Sequence, residues 1–255
     1  RGLERQSRGD LEGAIADYTK AIGLKAKPST IATAYNNRAN ARVNKNDLDG
    51  AIADYTKAIE LQPADSENYY NRGVARLAKG DNEGAIEDFS RAIEISPRFP
   101  LAHNNRGNAR KARGDVDGAI ADYTKALEQQ PRFAEAYYNR GVALQSKEDF
   151  DSAIRDYSEA IGLAPRFTDA FVNRGQAKQS KHDLDGAIAD YDRALELKSD
   201  EAGIYFARAT ARHEKKDLNG ARADYSKTIE LDPASAQSYA NRAVIETLQG
   251  KHSQA

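Results

Sequence analysis

Between residues 32 and 65 the apolar positions recur every three or four residues, stop at Asn46-Asp47, and then resume. Ala34, Tyr35, Arg38, Ala39 and Arg42 follow a helical spacing. Asp47 supplies a capping side chain for a second helix, which carries Ala51, Ile52, Tyr55, Ala58, Ile59 and Leu61 on one face. Gln62-Pro63 ends it, since proline cannot continue the hydrogen-bond ladder. The pattern predicts two antiparallel helices joined by a short turn. Ala39, Ala51 and Ala58 stand where the helices must approach closely.

This unit returns along almost the whole chain. Gly50-Ala51-Ile52-Ala53-Asp54-Tyr55 recurs from Gly84, Gly118, Ser152, Gly186 and Gly220, each 34 residues on, and an earlier copy starts at Gly13. Units this short cannot bury a core alone and must stack, so the expected fold is an all-α solenoid of antiparallel helix pairs. Residues 1–255 read as a single array: 1–31 a partial first repeat with a longer connection, 32–235 six complete 34-residue repeats, and 236–255 a partial last repeat. Eleven of the thirteen tyrosines sit at the fourth or twenty-fourth residue of a unit, which marks them as core.

Charge narrows the function. The chain has 38 basic and 39 acidic residues and a formal net charge of −1, interspersed rather than clustered, which argues against a nucleic-acid or anionic-membrane surface. It has no cysteine, hence no disulfide framework or thiolate metal site. No apolar run approaches the roughly 20 residues of a membrane span, and no signal peptide is visible. The chain opens at Arg1, inside a unit, as a fragment or processed product would.

An aromatic at the fourth residue, small residues at the eighth, twentieth and twenty-seventh, an aromatic at the twenty-fourth and a late proline together resemble the tetratricopeptide repeat. The resemblance covers essentially the whole chain. Arginine stands at the seventh residue where the family has leucine, and Ser199 where it has proline. The resemblance implies a right-handed superhelix whose first helices line a concave groove, and a role as a protein-binding scaffold.

In such a superhelix residues two, five, six, nine, twelve and thirteen of each unit would face the groove. The sixth residue is Asn37, Asn71, Asn105, Asn139, Asn173 and Asn241, with Ala207 the exception. Asparagine inside a helix costs about 0.5 kcal/mol relative to alanine, and its amide offers a donor and an acceptor to an extended peptide backbone. The row resembles the asparagine ladder of the O-linked N-acetylglucosamine transferase superhelix. Duplication of the unit would also preserve a residue regardless of use. Against that, the twelfth residue has diverged through Val43, Leu77, Lys111, Gln145, Gln179 and His213. A second pattern has a period of two units: Asn36 and Asn40 flank Asn37, Asn104 and Asn108 flank Asn105, while Tyr70 and Val74 flank Asn71, and Tyr138 and Val142 flank Asn139. A polar and apolar alternation would follow, with Tyr70, Tyr138, Val172 and Phe206 as side-chain pockets.

The expected function is therefore binding of an extended segment of a protein or peptide partner in the groove. The alternative is a structural module that self-associates end to end. For that, the apolar sets Ile15, Tyr18 and Ile22 and Val244, Ile245 and Leu248 would be covered by the parent protein or by a second copy in head-to-tail contact. RNA binding by analogy with pentatricopeptide repeats is disfavoured by the near-neutral charge and the period of 34. A chaperone carboxylate clamp would need lysines at the second and fifth residues; Thr33, Glu67, Leu101, Glu135 and Asp169, then Asn36, Tyr70, Asn104, Tyr138 and Val172, stand there instead.

The seventh-residue arginines (Arg1, Arg38, Arg72, Arg106, Arg140, Arg174, Arg208, Arg242) lie at the height of the twenty-third-residue aspartates, which predicts ion pairs between helices. Arg8-Gly9-Asp10 and Arg113-Gly114-Asp115 spell an adhesion tripeptide but fall on the turn between helices, where glycine ends one helix and aspartate caps the next. His103, His182, His213 and His252 lack ligand spacing, and no catalytic set or phosphate loop stands out, so neither an enzyme nor a cofactor is expected.

Overall fold

Every turn between paired helices is built from two residues with separate jobs. The first takes the left-handed conformation: Gly9, Gly80 and Gly114 at φ +82°, +87° and +84°, and Asn46, Glu148, His182 and Lys216 at +61° to +67°. The second is an aspartate, Asp10, Asp47, Asp81, Asp115, Asp149, Asp183 or Asp217, whose side chain accepts a hydrogen bond from the third amide of the helix it opens. Both Arg-Gly-Asp tripeptides lie here, with the aspartates of both committed to capping.

The structure is a computed structural model and describes residues 1–252. The tail of the last partial repeat, 253–255, and the His252 side chain lie outside the described residues. The described residues form helices and no strands, in two compact units. Arg1–Pro131 contains α1 (Gly2–Ser7), α2 (Leu11–Ile22), α3 (Pro28–Asn44), α4 (Leu48–Leu61), α5 (Ser66–Lys79), α6 (Asn82–Ile95), α7 (Pro100–Ala112) and α8 (Val116–Gln129). Arg132–Ala255 contains α9 (Ala134–Ser146), α10 (Phe150–Leu163), α11 (Thr168–Ser180), α12 (Leu184–Leu197), α13 (Ala202–Glu214), α14 (Leu218–Leu231) and α15 (Ala236–His252). Within each unit every helix packs on its neighbours in sequence, so the core is a line of small clusters. The first helix of each repeat is called A below, the second B.

Close approach is secured by alanine. Ala39, Ala51 and Ala58 are fully buried, as are Ala85, Ala119, Ala153, Ala187 and Ala221 at the twentieth residue, while glycine takes the eighth in Gly73, Gly107, Gly141 and Gly175. Into the gaps go the twenty-fourth-residue rings: Tyr55, Phe89, Tyr123, Tyr157, Tyr191 and Tyr225 are at most 2% exposed. The fourth-residue tyrosines differ from the core placement expected of them. Tyr35, Tyr69, Tyr137 and Tyr205 are only half-buried and Tyr239 is exposed, and each lies under the guanidinium three residues on, at 5.3–5.8 Å. At the ends, Tyr18 and Ile245 are buried, whereas Val244 and Leu248 are exposed.

The arginine row is fixed by the aspartates. Arg38, Arg72, Arg106, Arg140, Arg174 and Arg208 each grip Asp54, Asp88, Asp122, Asp156, Asp190 and Asp224 respectively through Nε and Nη2, at 2.6–3.0 Å. These carboxylates are buried. Arg242 decides which repeat supplies the partner: it meets Ser226 and stacks on Tyr239, while Asp224 is held by Arg208 and Arg212. The partner therefore comes from the arginine's own repeat. Arg1 does not join the row; Arg5, one turn on, reaches Asp17 at 3.3 Å.

Two contacts went unread in the sequence. The eleventh residue supplies a second cation: Arg42, Arg76, Arg110, Lys178 and Arg212 lie 2.8–3.0 Å from the same aspartates. The remaining arginine nitrogen reaches back to the preceding B helix, where Arg38, Arg72, Arg106 and Arg174 donate to Thr19, Thr56, Ser90 and Ser158 at 2.9–3.0 Å. One side chain thus ties two helices of its own repeat to the repeat before it. His103 replaces the fourth-residue aromatic and lies buried with Nδ1 3.5 Å from Asp122.

Burial alone would raise the Asp122 pKa, but the close His103 imidazole, the hydrogen bonds from Arg106 and the charges of Arg106 and Arg110 outweigh it and hold it below its ordinary value. A carboxylate depressed in this way stabilises the fold fully above the unfolded pKa of about 3.9, and the contribution is lost as pH falls through the folded value. Asp122→Asn should lower stability at neutral pH by about 3 kcal/mol or more, because two guanidinium groups lose their anion. It should also flatten the loss of stability below pH ~4. Urea unfolding at several pH values measures both. At the turn, Glu148→Gly should raise stability by about 1 kcal/mol, since only the left-handed strain is removed from an exposed position; a rise in melting temperature checks it.

Candidate functional site

The first helix of each repeat leaves one face half-covered, and the sixth-residue asparagines lie on it. Asn37 on α3, Asn71 on α5, Asn105 on α7, Asn139 on α9, Asn173 on α11 and Asn241 on α15 are all half-buried. Their surroundings divide them. Asn37 and Asn71 make no hydrogen bond within the described residues. Asn105 donates through Nδ2 to the Tyr70 hydroxyl at 3.1 Å, and Asn173 donates to Tyr138 at the same distance. Asn241 donates to Tyr225, 3.2 Å away.

The flanking amides have internal partners. The buried Tyr55 hydroxyl donates to Asn40 at 2.6 Å, Asn40 donates to Asn36, Asn36 to Asn68, and Asn68 to Asp65, a relay that crosses two repeats. Tyr123 donates likewise to Asn108 at 2.8 Å, and Asn104 donates to Asn105 at 3.2 Å. Where the ninth residue is not asparagine, the twelfth takes over: Tyr157 donates to Gln145 and Tyr191 to Gln179. Where the twenty-fourth residue is Phe89, the ninth and twelfth are Val74 and Leu77, which pack with it in one cluster. The polar and apolar alternation read along the chain thus follows, in part, from whether the buried ring carries a hydroxyl. That rule was legible by comparing three columns of the repeat.

The aromatic repeats build a recurring group. Tyr70 lies 4.9 Å from Phe99 and 5.8 Å from Phe89, and Tyr138 lies 4.7 Å from Phe167 and 5.9 Å from Tyr157. Phe99 and Phe167, in the loops between repeats, were missed because loop positions carry no helical period to flag them. Val172 packs partly buried on the Phe171–Tyr191 cluster, and Phe206 stands edge-on to Tyr225 at 5.8 Å. Burial raises the pKa of Tyr70 and Tyr138, with Glu67 and Asp169 adding to it and the amides of Asn105 and Asn173 opposing. Both hydroxyls therefore keep their protons at neutral pH. Burial lowers the amine pKa of Lys111, at the twelfth position of α7.

Among the described residues no cluster of three or more His, Asp or Glu side chains could hold a metal ion, and no helix is long and apolar enough to cross a membrane.

Tyr55→Phe alone strands Asn40 and should cost about 1 kcal/mol; Asn40→Val alone strands a buried hydroxyl and should cost about 1–3 kcal/mol. The double variant reproduces the Phe89–Val74 pairing and should be nearly neutral. A double-mutant cycle from urea unfolding reads the coupling.

Comparison with known proteins agrees with this architecture. Sequence profiles described as tetratricopeptide repeat match residues 36–98, 172–236 and 134–167, and one described as TPR repeat matches 107–148. A comparison with curated proteins finds no match. Among solved structures, the C-terminal part of a TPR repeat-containing protein from Cytophaga hutchinsonii superposes with a TM-score of 0.74 at 17% identity, over 94% of this chain and 97% of that one. YrrB, described as a TPR protein with an unusual peptide-binding site, gives 0.66 at 21% identity, covering 74% of this chain and 97% of its own. MamA gives 0.60 at 27% identity, over 63% and 94%. With helix pairs, turn chemistry and profile matches spanning the repeats, the chain is a protein–protein interaction scaffold and belongs to the tetratricopeptide repeat family.

Proposed function

We propose that the A-helix faces bind an extended segment of a partner protein, with the sixth-residue asparagines contacting its main chain. The observation that carries this reading is the open pair Asn37 and Asn71, half-exposed amides with no hydrogen bond within the described residues. Each sits in a helix interior, where asparagine costs about 0.5 kcal/mol relative to alanine. Neither serves a buried tyrosine, in contrast to Asn40 and Asn108, so fold stability does not explain them. An extended backbone presents alternating N–H and C=O groups, which an amide can meet with one acceptor and one donor.

The charge of the face supports a partner other than an acidic C-terminus. Glu67, Glu135 and Asp169 are exposed at the second position, where a carboxylate would be repelled. Apolar side chains of a segment on the first unit would lie against the Tyr70–Phe99 rings, and those of a segment on the second against the Tyr138–Phe167 rings. YrrB, which shares the fold, is described with an unusual peptide-binding site, the kind of occupant proposed here.

The test uses peptides drawn from a random-sequence display library by binding to the folded chain. Asn37→Ala/Asn71→Ala should weaken those that engage the first compact unit by about 25-fold, roughly one hydrogen bond per amide. Helicity by circular dichroism should stay constant or rise slightly, since alanine is the better helix former. A chain that selects no peptide, or a double variant that binds every peptide as the parent does, would remove the ground for this reading.

A further inference from the structure

The asparagine row is not uniform, and the differences assign one residue pair a distinct role. Asn173 is held by a donor bond from Nδ2 to the Tyr138 hydroxyl at 3.1 Å. The Oδ1 end makes no hydrogen bond within the described residues. Tyr138 receives the Asn173 bond on its oxygen, and its own proton has no acceptor there. With its pKa raised by burial, that proton is present at neutral pH. The pair therefore offers one donor, Tyr138 O–H, beside one acceptor, Asn173 Oδ1, both on the half-covered A-helix face of the second compact unit.

The related pair in the first compact unit lacks this property. Asn105 donates to Tyr70 in the same way, but its Oδ1 is taken by Asn104 Nδ2 at 3.2 Å. The fifth residue makes the difference: Asn104 precedes Asn105, whereas Val172 precedes Asn173 and has no donor to offer.

Resting on the peptide-binding reading, we propose that Tyr138 and Asn173 together read the backbone N–H and C=O of one residue of the bound segment, which point to the same side of an extended chain. Tyr138 donates to its carbonyl and Asn173 Oδ1 accepts from its N–H, with Val172 keeping that oxygen open. The geometry favours this pair over the looser Asn37 and Asn71, because the internal bond has already fixed both side chains, so less rotamer freedom is lost on binding. The Tyr138–Phe167 stack stands alongside, and Phe167 also lines an open cleft of about 530 Å³ with Ala134, Ala164 and Pro165. An apolar side chain next to the recognised residue has room there, between Glu135 and Arg166. The occupant is an extended residue bearing a backbone N–H, followed or preceded by an apolar residue; proline lacks the N–H and is rejected at this position.

Display-selected peptides that bind the whole chain are the probe, with affinities from fluorescence anisotropy and folding checked by circular dichroism. Tyr138→Phe and Asn173→Ala should each weaken binding about fivefold, the loss of one hydrogen bond. Val172→Asn, which places an Asn104-like donor beside Asn173, should do the same, while Val172→Ala should not, separating a blocked oxygen from lost packing. Methylating the backbone nitrogens of a bound peptide one at a time should find one position where the N–H matters in the parent chain and no longer matters in Asn173→Ala. Peptides indifferent to Tyr138→Phe, Asn173→Ala and Val172→Asn would overturn the proposal. If those peptides still lose affinity on Asn37→Ala/Asn71→Ala, the peptide-binding reading survives without it. If no peptide is selected, both fall.

Discussion

A buried aspartate in every complete repeat is the constraint from which the rest of this structure follows. Asp54, Asp88, Asp122, Asp156, Asp190 and Asp224 are almost wholly removed from water in cores made largely of alanine. A lone carboxylate in that setting would be costly, so each needs cations with good geometry. The seventh-residue arginine supplies a two-pronged grip, and it can do so only if the A and B helices hold a fixed height against each other. Its third contact, to the hydroxyl on the preceding B helix, fixes the repeat before it as well. Where ordinary repeats rely on a leucine for bulk at that position, this chain uses a planar, directional group. Hydrophobic packing alone would tolerate sliding; an arginine with all three of its nitrogens engaged does not.

The architecture was legible because its signals are periodic. Helix starts, turns, alanine contacts and the arginine–aspartate pairing each recur at a fixed residue of the unit, so a misreading in one copy is corrected by the others. What escaped were features without a helical period of their own. The second cation at the eleventh residue was hidden because Leu144 interrupts the column and Lys178 alters it. Phe99 and Phe167 lie in loops, where direction cannot be inferred from spacing. The fourth-residue tyrosines are only half-buried beneath a guanidinium, a polar neighbour that a hydrophobicity pattern does not register.

The candidate site was only half legible, and the reason is physical. An asparagine on an A helix can face solvent, serve a ligand, or satisfy a buried hydroxyl, and its letter is the same in all three cases. Asn40 and Asn108 illustrate the ambiguity. Read along the chain they extend the polar patches around Asn37 and Asn105; in the fold they are the acceptors for Tyr55 and Tyr123. Asn40→Val would therefore be a poor test of binding, because it disturbs the core first. Asn37 and Asn71 carry no such second duty.

Duplication of a two-repeat block accounts for the recurrence of Tyr70, Phe99 and Asn105 as Tyr138, Phe167 and Asn173, 68 residues further along. It does not account for how the copies differ. Had the asparagines merely persisted, substitutions near them would scatter without regard to their hydrogen-bonding ends. Instead the change from Asn104 to Val172 leaves the donor bond to tyrosine intact and strips the acceptor of its internal partner. An unpartnered acceptor on a half-covered surface gains nothing for the fold, since water meets it as well as any side chain would. It gains something only when a ligand displaces that water and brings an N–H in its place. The two blocks share their rings and their donor bonds to tyrosine, and they differ at the residue that decides whether the asparagine oxygen has an internal partner.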